Sequence, residues 1–84
     1  MTRLWRKQQP IAVVTDALHE PLAFTWRGRQ HRTQQITRQW RTDIDWWRVR
    51  VWRSNFKLAT DTGLLVVIYQ DLLTGEWFFQ RLYD

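Results

Sequence analysis

Alternation of apolar and polar residues is the strongest pattern in this 84-residue chain, and it predicts β-strands rather than helices. The clearest example follows Pro21, where three large apolar residues are separated by small or polar ones: Leu22, Phe24 and Trp26. A second series repeats this spacing: Trp52, Ser54, Phe56 and Leu58. Residues 64–69 are apolar on both faces, which predicts a central strand.

Glycines and short polar segments divide these strands. Gly28 suits a tight turn after residues 21–26, while residues 61–63 and 72–75 suit two later hairpin turns. Composition and spacing predict further strands over residues 11–15, 46–58 and 76–83. A loop is predicted over residues 43–45, directly before the second of these strands.

Residues 30–41 allow two interpretations. His31 and Thr33 have one strand parity and Ile36 and Trp40 have the other, so a β-bulge near Gln34-Gln35 is needed to continue the strand. A short helix over 34–41 is the alternative, although this segment has no apolar stripe at helical spacing.

The predicted fold class is all-β: a small antiparallel meander of about five strands that forms a curled sheet or a partly open barrel. A proline is unfavourable in a central strand, so Pro10 marks a boundary. We therefore expect a basic N-terminal arm over residues 1–10 and a single β domain over 11–84, in agreement with the short chain.

Composition limits the chemistry of the core and the site. The chain has no cysteine, which excludes disulfides, thiolate zinc sites and cysteine nucleophiles and fits a reducing compartment. Seven tryptophans supply large apolar side chains, of which three are predicted in the core: Trp26, Trp52 and Trp77. No segment approaches the roughly 20 apolar residues of a membrane span, so a cytoplasmic protein without membrane contact is expected.

Charge is distributed unevenly along the chain. Residues 1–54 contain eleven basic and four acidic side chains, a net charge of +7, whereas residues 55–84 contain two basic and four acidic ones, a net charge of −2. Eleven of the thirteen cations are arginines, which bind phosphates through two parallel hydrogen bonds and stack on rings. This asymmetry indicates a polyanionic partner.

An arginine-rich face with two adjacent tryptophans is the candidate binding site. If strand alternation gathers these arginines, they can neutralise several phosphates of single-stranded DNA or RNA while indoles stack on bases. The predicted nucleic-acid-binding residues are Arg27, Arg29, Arg32, Arg38, Arg41, Trp46, Trp47, Arg48, Arg50 and Arg53. One continuous arginine surface favours nucleic acid, whereas arginines paired with nearby aspartates favour a protein contact or simple solvation.

A protein-interaction module is the alternative. Trp46 and Trp47 are adjacent, so on a regular strand they face opposite sides and at least one is expected at the surface. An exposed tryptophan or an open strand edge can bind a repair-associated protein or a second copy of the chain.

Catalysis is not expected. The chain has one serine, Ser54, and two histidines, His19 and His31, and no spacing typical of a metal site. Its three glycines are isolated, so no phosphate-binding loop is formed. A small nuclease built on His31 is the weaker alternative, and the expected function is a non-catalytic binding module without metal or cofactor.

The second half of the chain resembles a known family. Residues 53–58, 61–63 and 68–84, which end in Trp77-Phe78-Phe79 and Tyr83-Asp84, resemble an uncharacterised family of small bacterial proteins, and residues 21–29 are similar to it as well. Gln70 departs from the pattern, which usually has Arg there. The same C-terminal pattern is similar to the tail of ImuB-type proteins, inactive relatives of Y-family DNA polymerases in translesion repair. The resemblance implies a bacterial protein linked to DNA repair and supplies no catalytic residues.

Overall fold

Six antiparallel strands form a closed barrel. The computed structural model describes residues 2–47 and 49–83, with side chains described for 9–45, 47 and 50–83. The strands are β1 (Thr2–Thr15), β2 (Pro21–Trp26), β3 (Arg29–Trp46), β4 (Val49–Thr60), β5 (Leu65–Asp71) and β6 (Trp77–Tyr83). Each pairs with the next, and β1 pairs with β6 to close the barrel, which confirms the predicted all-β class. No helix in this described part is long and apolar enough to cross a membrane.

The two long strands, β1 and β3, each pair with two different strands along successive parts of their length. β1 pairs with β6 through residues 2–11 and with β2 through residues 12–15. β3 pairs with β2 through residues 29–32 and then with β4 through residues 33–46. Both strands contain register shifts, and a β-bulge increases the local bend and twist that closure of a small sheet requires.

The segment predicted as a basic N-terminal arm is part of β1. Residues 2–4 pair with residues 81–83 of β6, and Pro10 lies opposite Phe78. At Pro10 the strand has a ladder partner on one side only, because pairing with β2 begins at Ala12. A proline is compatible with such an edge position, so Pro10 does not end the strand.

Residues 43–45, predicted as a loop, are paired strand residues. β3 and β4 stay in register from Arg38↔Lys57 to Trp46↔Val49, and the chain reverses at Trp47, which has a φ of 36°. β5 pairs with β4 only as far as Arg53, so residues 43–46 and 49–52 extend past it as a two-stranded ribbon. The loop prediction was wrong because Asp43 and Asp45 were interpreted as turn residues. Both aspartates are instead strand residues of the exposed ribbon, and each pairs with a residue of β4.

The bulge predicted near Gln34-Gln35 is confirmed, since the register shifts between Thr33 and Gln35. A second shift lies between Ile36 and Arg38, where the Thr37 hydroxyl donates a hydrogen bond to the Lys57 carbonyl at 3.1 Å. The helical alternative for residues 34–41 is therefore excluded.

The core consists mainly of rings contributed by three strands. Trp26 of β2 stacks on Phe79 of β6, with ring centroids 4.4 Å apart and planes 2° apart. Phe56 of β4 contacts Trp77 of β6 at 5.6 Å. Trp26 and Trp77 are buried as predicted, whereas Trp52 is only half-buried because it lies on the ribbon beyond β5.

His31 links β3 to the β4–β5 turn. Its ring is 5% exposed, stacks on Phe24 at 5.3 Å, and its Nδ1 atom lies 2.6 Å from the Thr62 hydroxyl. That hydroxyl is also 2.9 Å from the hydroxyl of Thr60. Burial lowers the pKa of His31, and the nearby Arg29 charge lowers it further, while Asp61 and a backbone hydrogen bond at Trp26 oppose the shift.

Stability should therefore decrease as the solution becomes acidic. Since the pKa of His31 is below 6.5 in the folded state, the unfolded chain binds more protons between that lowered pKa and about 6.5. The free energy of unfolding should fall with decreasing pH across this window, by at most about 1.4 kcal/mol per pH unit for one proton. Thermal unfolding of His31→Gln should lack this contribution, whereas His19→Gln, which replaces an exposed histidine, should behave like wild type. Equal pH dependence in His31→Gln and wild type would contradict this assignment.

Trp77→Ala should destabilise the barrel by about 3–5 kcal/mol, because removal of a buried indole leaves a cavity in a thin core. Chemical denaturation measures this difference. Trp52→Ala is the matched control and should cost less, since Trp52 is only half-buried. Equal losses in the two variants would show that the core has been assigned incorrectly.

Candidate nucleic-acid interface

The register of β3, β4, β5 and β6 assigns their side chains to two faces, because cross-strand neighbours share a face. Phe56 and Leu58 belong to the core, so their parity marks the inner face. The opposite parity forms the outer face, which contains two complete ladder rows: Arg38, Lys57, Val67 and Arg81 in one, and Trp40, Asn55, Tyr69 and Phe78 in the next.

Two cations of the first row lie near the ring of Tyr83. The Lys57 ammonium is 4.6 Å from the ring centroid and the Arg81 guanidinium is 5.7 Å from it. Arg81 also donates a hydrogen bond to the Tyr83 hydroxyl at 3.3 Å. These contacts order long side chains that solvent would otherwise leave mobile.

The remaining cations of the outer face also lie over rings. The Arg38 guanidinium is 4.9 Å from the centroid of Trp40, and the Arg53 guanidinium is 4.3 Å from that of Tyr69. Tyr69 is buried and stacks on Phe78 at 5.3 Å, while Trp40 is half-buried. The outer face therefore combines a packed aromatic layer with charged groups at its surface.

A groove of about 200 Å³ lies in this face. Most of the side chains that line it are cationic or aromatic, and the others are a valine and a glutamine: Arg38, Trp40, Lys57, Val67, Gln80, Arg81 and Tyr83. Among the residues that the structure describes, no carboxylate contributes to the lining, so the groove suits an anionic or π-stacking ligand better than a cation.

The four cations of the outer face have no carboxylate partner among the residues that the structure describes. Asp71 lies opposite Arg53 in the ladder, but its Oδ1 atom accepts a hydrogen bond from the Leu73 amide at 2.9 Å. On the ribbon, by contrast, Arg50 forms an ion pair with Asp43 at 3.5 Å. Among the described residues, the cations of the outer face are therefore not neutralised by carboxylates, whereas Arg50 is paired with one.

The structure brings only part of the predicted arginine set together. Arg38 and Arg53 share the outer face. Arg41 and Arg50 have the opposite parity on the same hairpin, and Arg41 lines a separate cavity of about 270 Å³ with Ser54 and His19. The other three described arginines of the predicted set belong to the β2–β3 turn and the start of β3: Arg27, Arg29 and Arg32.

The predicted tryptophan pair lies at the tip of the hairpin. Trp47 is 86% exposed in the turn itself, so strand alternation does not govern its direction. The side chain of Trp46 and the whole of Arg48 lie outside the described residues.

Four residues of the outer face were missed by sequence reasoning: Trp40, Lys57, Arg81 and Tyr83. Lys57 and Arg81 were not predicted as binding residues because they belong to the part of the chain with a net negative charge. The parity of Lys57, between the inner residues Phe56 and Leu58, was the one signal that could have indicated an outward direction.

Two of the three side chains considered for catalysis, His31 and Ser54, are buried in the fold. His31 is buried against Thr62, and Ser54 is buried on the inner face opposite Arg41. Within residues 2–47 and 49–83 no group of three histidine or acidic side chains could hold a metal ion.

Comparison with known proteins gives one family and one kind of relative. A family model described as Domain of unknown function (DUF6504) matches residues 3–83. The chain is also 29% identical over 97 aligned residues to Protein ImuB of Caulobacter vibrioides strains NA1000 / CB15N and ATCC 19089 / CIP 103742 / CB 15. This alignment covers 96% of the chain and 21% of each relative, so the chain spans about a fifth of their length. No solved structure matches the chain.

Proposed function

The chain belongs to the DUF6504 family, and we propose that it is a module that binds single-stranded nucleic acid through the outer face of β3–β6. The observation that carries the proposal is the set of four cations on one sheet face, without carboxylate partners among the described residues and interleaved with aromatic rings. Non-sequence-specific proteins for single strands combine these same two elements, cations for the backbone and rings for the bases.

The geometry favours a single strand over a duplex. The face is a sheet with a shallow groove rather than a projecting helix, and Trp40 and Tyr83 border that groove. Unpaired bases can stack on such rings, whereas the bases of a duplex are already stacked on each other. The contacts expected are to phosphates and ring faces, so little sequence preference should result.

We infer a DNA-repair context from the similarity to Protein ImuB. The resemblance to ImuB-type proteins implies action during translesion synthesis, where single-stranded template is exposed. A small module with moderate affinity for single strands would be useful there without any catalytic residue of its own.

Binding should depend strongly on salt concentration. Neutralisation of about four phosphates on a single strand gives a slope of about −2.8 in log K against log salt, or an approximately 50-fold loss between 50 and 200 mM. Fluorescence anisotropy with a labelled oligothymidylate and a labelled oligouridylate measures this slope. Absence of binding to both oligonucleotides at low salt would refute the proposal.

Matched charge variants identify the face. Arg38→Gln/Lys57→Gln and Arg29→Gln/Arg32→Gln both lower the net charge from +5 to +3, which is two units each. The first pair should reduce the salt slope by about 1.4, since two phosphate contacts are lost, and the second should leave it nearly unchanged. Equal effects of the two pairs would indicate attraction by overall charge and would contradict binding at the outer face.

Removal of a ring should weaken binding at every salt concentration. Trp40→Ala deletes one stacking surface, and the expected loss is about 5- to 150-fold, which corresponds to roughly 1–3 kcal/mol per stacked base. Trp40→Phe should retain most of the affinity, because a smaller ring can still stack. The salt slope should remain that of wild type, and a folded Trp40→Ala variant with full affinity would exclude this ring from the interface.

A protein-interaction function is the second candidate, and it is favoured by the ribbon rather than by the outer face. Trp47 is 86% exposed and Ile44 is 50% exposed on the same hairpin. Exposed apolar side chains near an open strand edge are typical of sites at which a sheet recruits another strand.

A further inference from the structure

β3 has one long open edge. Residues 33–46 pair with β4 on one side, and in the described part of the chain they have no ladder partner on the other, because β2 pairs with β3 only through residues 29–32. In an antiparallel strand every second residue directs its N–H and C=O groups away from its neighbour. This edge therefore presents a row of hydrogen-bonding groups to which another strand can be added.

The regular part of this edge is its second half. Both register shifts of the β3–β4 ladder precede Arg38, whereas residues 38–46 continue without a shift. Bulges protect an edge from pairing because they twist it and disrupt its spacing. Residues 38–46 lack this protection and form a template of nine residues in continuous register.

The sequence of this template is complementary to itself. If a second copy pairs antiparallel with Thr42 opposite its own equivalent, Arg41 lies opposite Asp43 of the second copy, and Asp43 lies opposite Arg41. On the other face of the same strand, Trp40 lies opposite Ile44 of the second copy in both directions. Opposite charges and aromatic–β-branched pairs at such positions each stabilise a sheet.

The side chains at these positions are available for a partner. Ile44 is 50% exposed, and Trp40 is half-buried on the same parity. The Asp43 side chain is 58% exposed although its Oδ1 atom contacts Arg50 of the same chain at 3.5 Å. A carboxylate has two oxygens and accepts several donors, so it can bind a second cation.

We propose that the chain forms a homodimer in which the β3 edges of two copies, residues 38–46, pair antiparallel about Thr42. This interface is isologous, because both copies contribute the same residues to it, and the assembly closes after two copies. It extends the β3–β6 sheet across the two-fold axis rather than covering the outer face.

Exchange of charges tests the register directly. Arg41→Asp alone places aspartates opposite each other at both symmetry-related positions, and Asp43→Arg alone places arginines there. Each single variant should weaken dimerisation by about tenfold or more. The double variant Arg41→Asp/Asp43→Arg restores opposite charges in both pairs and should recover the dimer. Recovery is specific to this register, because no other alignment exchanges these two residues with each other.

Sedimentation equilibrium without nucleic acid measures the association, at protein concentrations up to about 0.5 mM. Wild type and the double variant should show twice the chain mass of 10.4 kDa, and the single variants should dissociate at lower concentrations. Glu76→Arg makes the same charge change as Asp43→Arg on an exposed residue outside β3 and should leave the dimer intact. Circular dichroism confirms that each variant is folded.

Two results would overturn the proposal. One is a wild-type chain that remains monomeric throughout this range. The other is a dimer that the single charge variants do not weaken or that the double variant does not restore, since either shows a different interface. Both results are independent of nucleic-acid binding, which is measured separately on the outer face.

Discussion

The stack of Trp26 on Phe79 is the contact on which the barrel depends. These rings belong to β2 and β6, which are not hydrogen-bonded neighbours, so the stack connects two parts of the wall that backbone ladders join through β1 on one side and through β3, β4 and β5 on the other. A stacked pair contributes about 0.5–1.5 kcal/mol beyond the area it buries. In a cysteine-free chain whose folding buries only about 60–65% of its extended surface, ring packing is the main source of stability.

The central strand β4 connects this core to the candidate interface. Its inner residues Phe56 and Leu58 are fully packed, and alternation then directs Asn55 and Lys57 to the outer face. The amide of Asn55 donates hydrogen bonds to the Trp40 carbonyl at 3.2 Å and to the Thr42 hydroxyl at 3.0 Å. Rigid core packing on one side therefore determines the spacing of rings and cations on the other, which is the preorganisation that a binding surface requires.

The long hairpin gives the two proposals a common geometry. Arg38 and Trp40 belong to the outer face and also to the open edge of β3. In an antiparallel pair of edges the two-fold axis is perpendicular to the sheet, so the outer faces of both copies lie on the same side. The two basic surfaces would then form one wider surface, and a strand of nucleic acid could contact both copies with an increased effective affinity.

The sequence by itself determined the class of fold and most strand positions, because period-two alternation reports directly which residues of a strand are buried. It also indicated the Gln34-Gln35 bulge, since the change of parity between Thr33 and Ile36 has no other explanation within a strand. The sequence did not predict the first half of β1 or the continuation of β3 through Asp43 and Asp45. These segments are strands because of their pairing partners rather than their local residue types.

The composition of the candidate site was decided by tertiary structure alone. Alternation assigns each side chain to one of two faces, but it does not say which faces of different strands meet. The register brought Arg38 beside Lys57 and Arg81, which are distant in sequence, and separated Arg38 from Arg41 because their parities differ. Charge counted along the chain does not identify the members of this surface, because they depend on bulges and strand order, which are long-range properties.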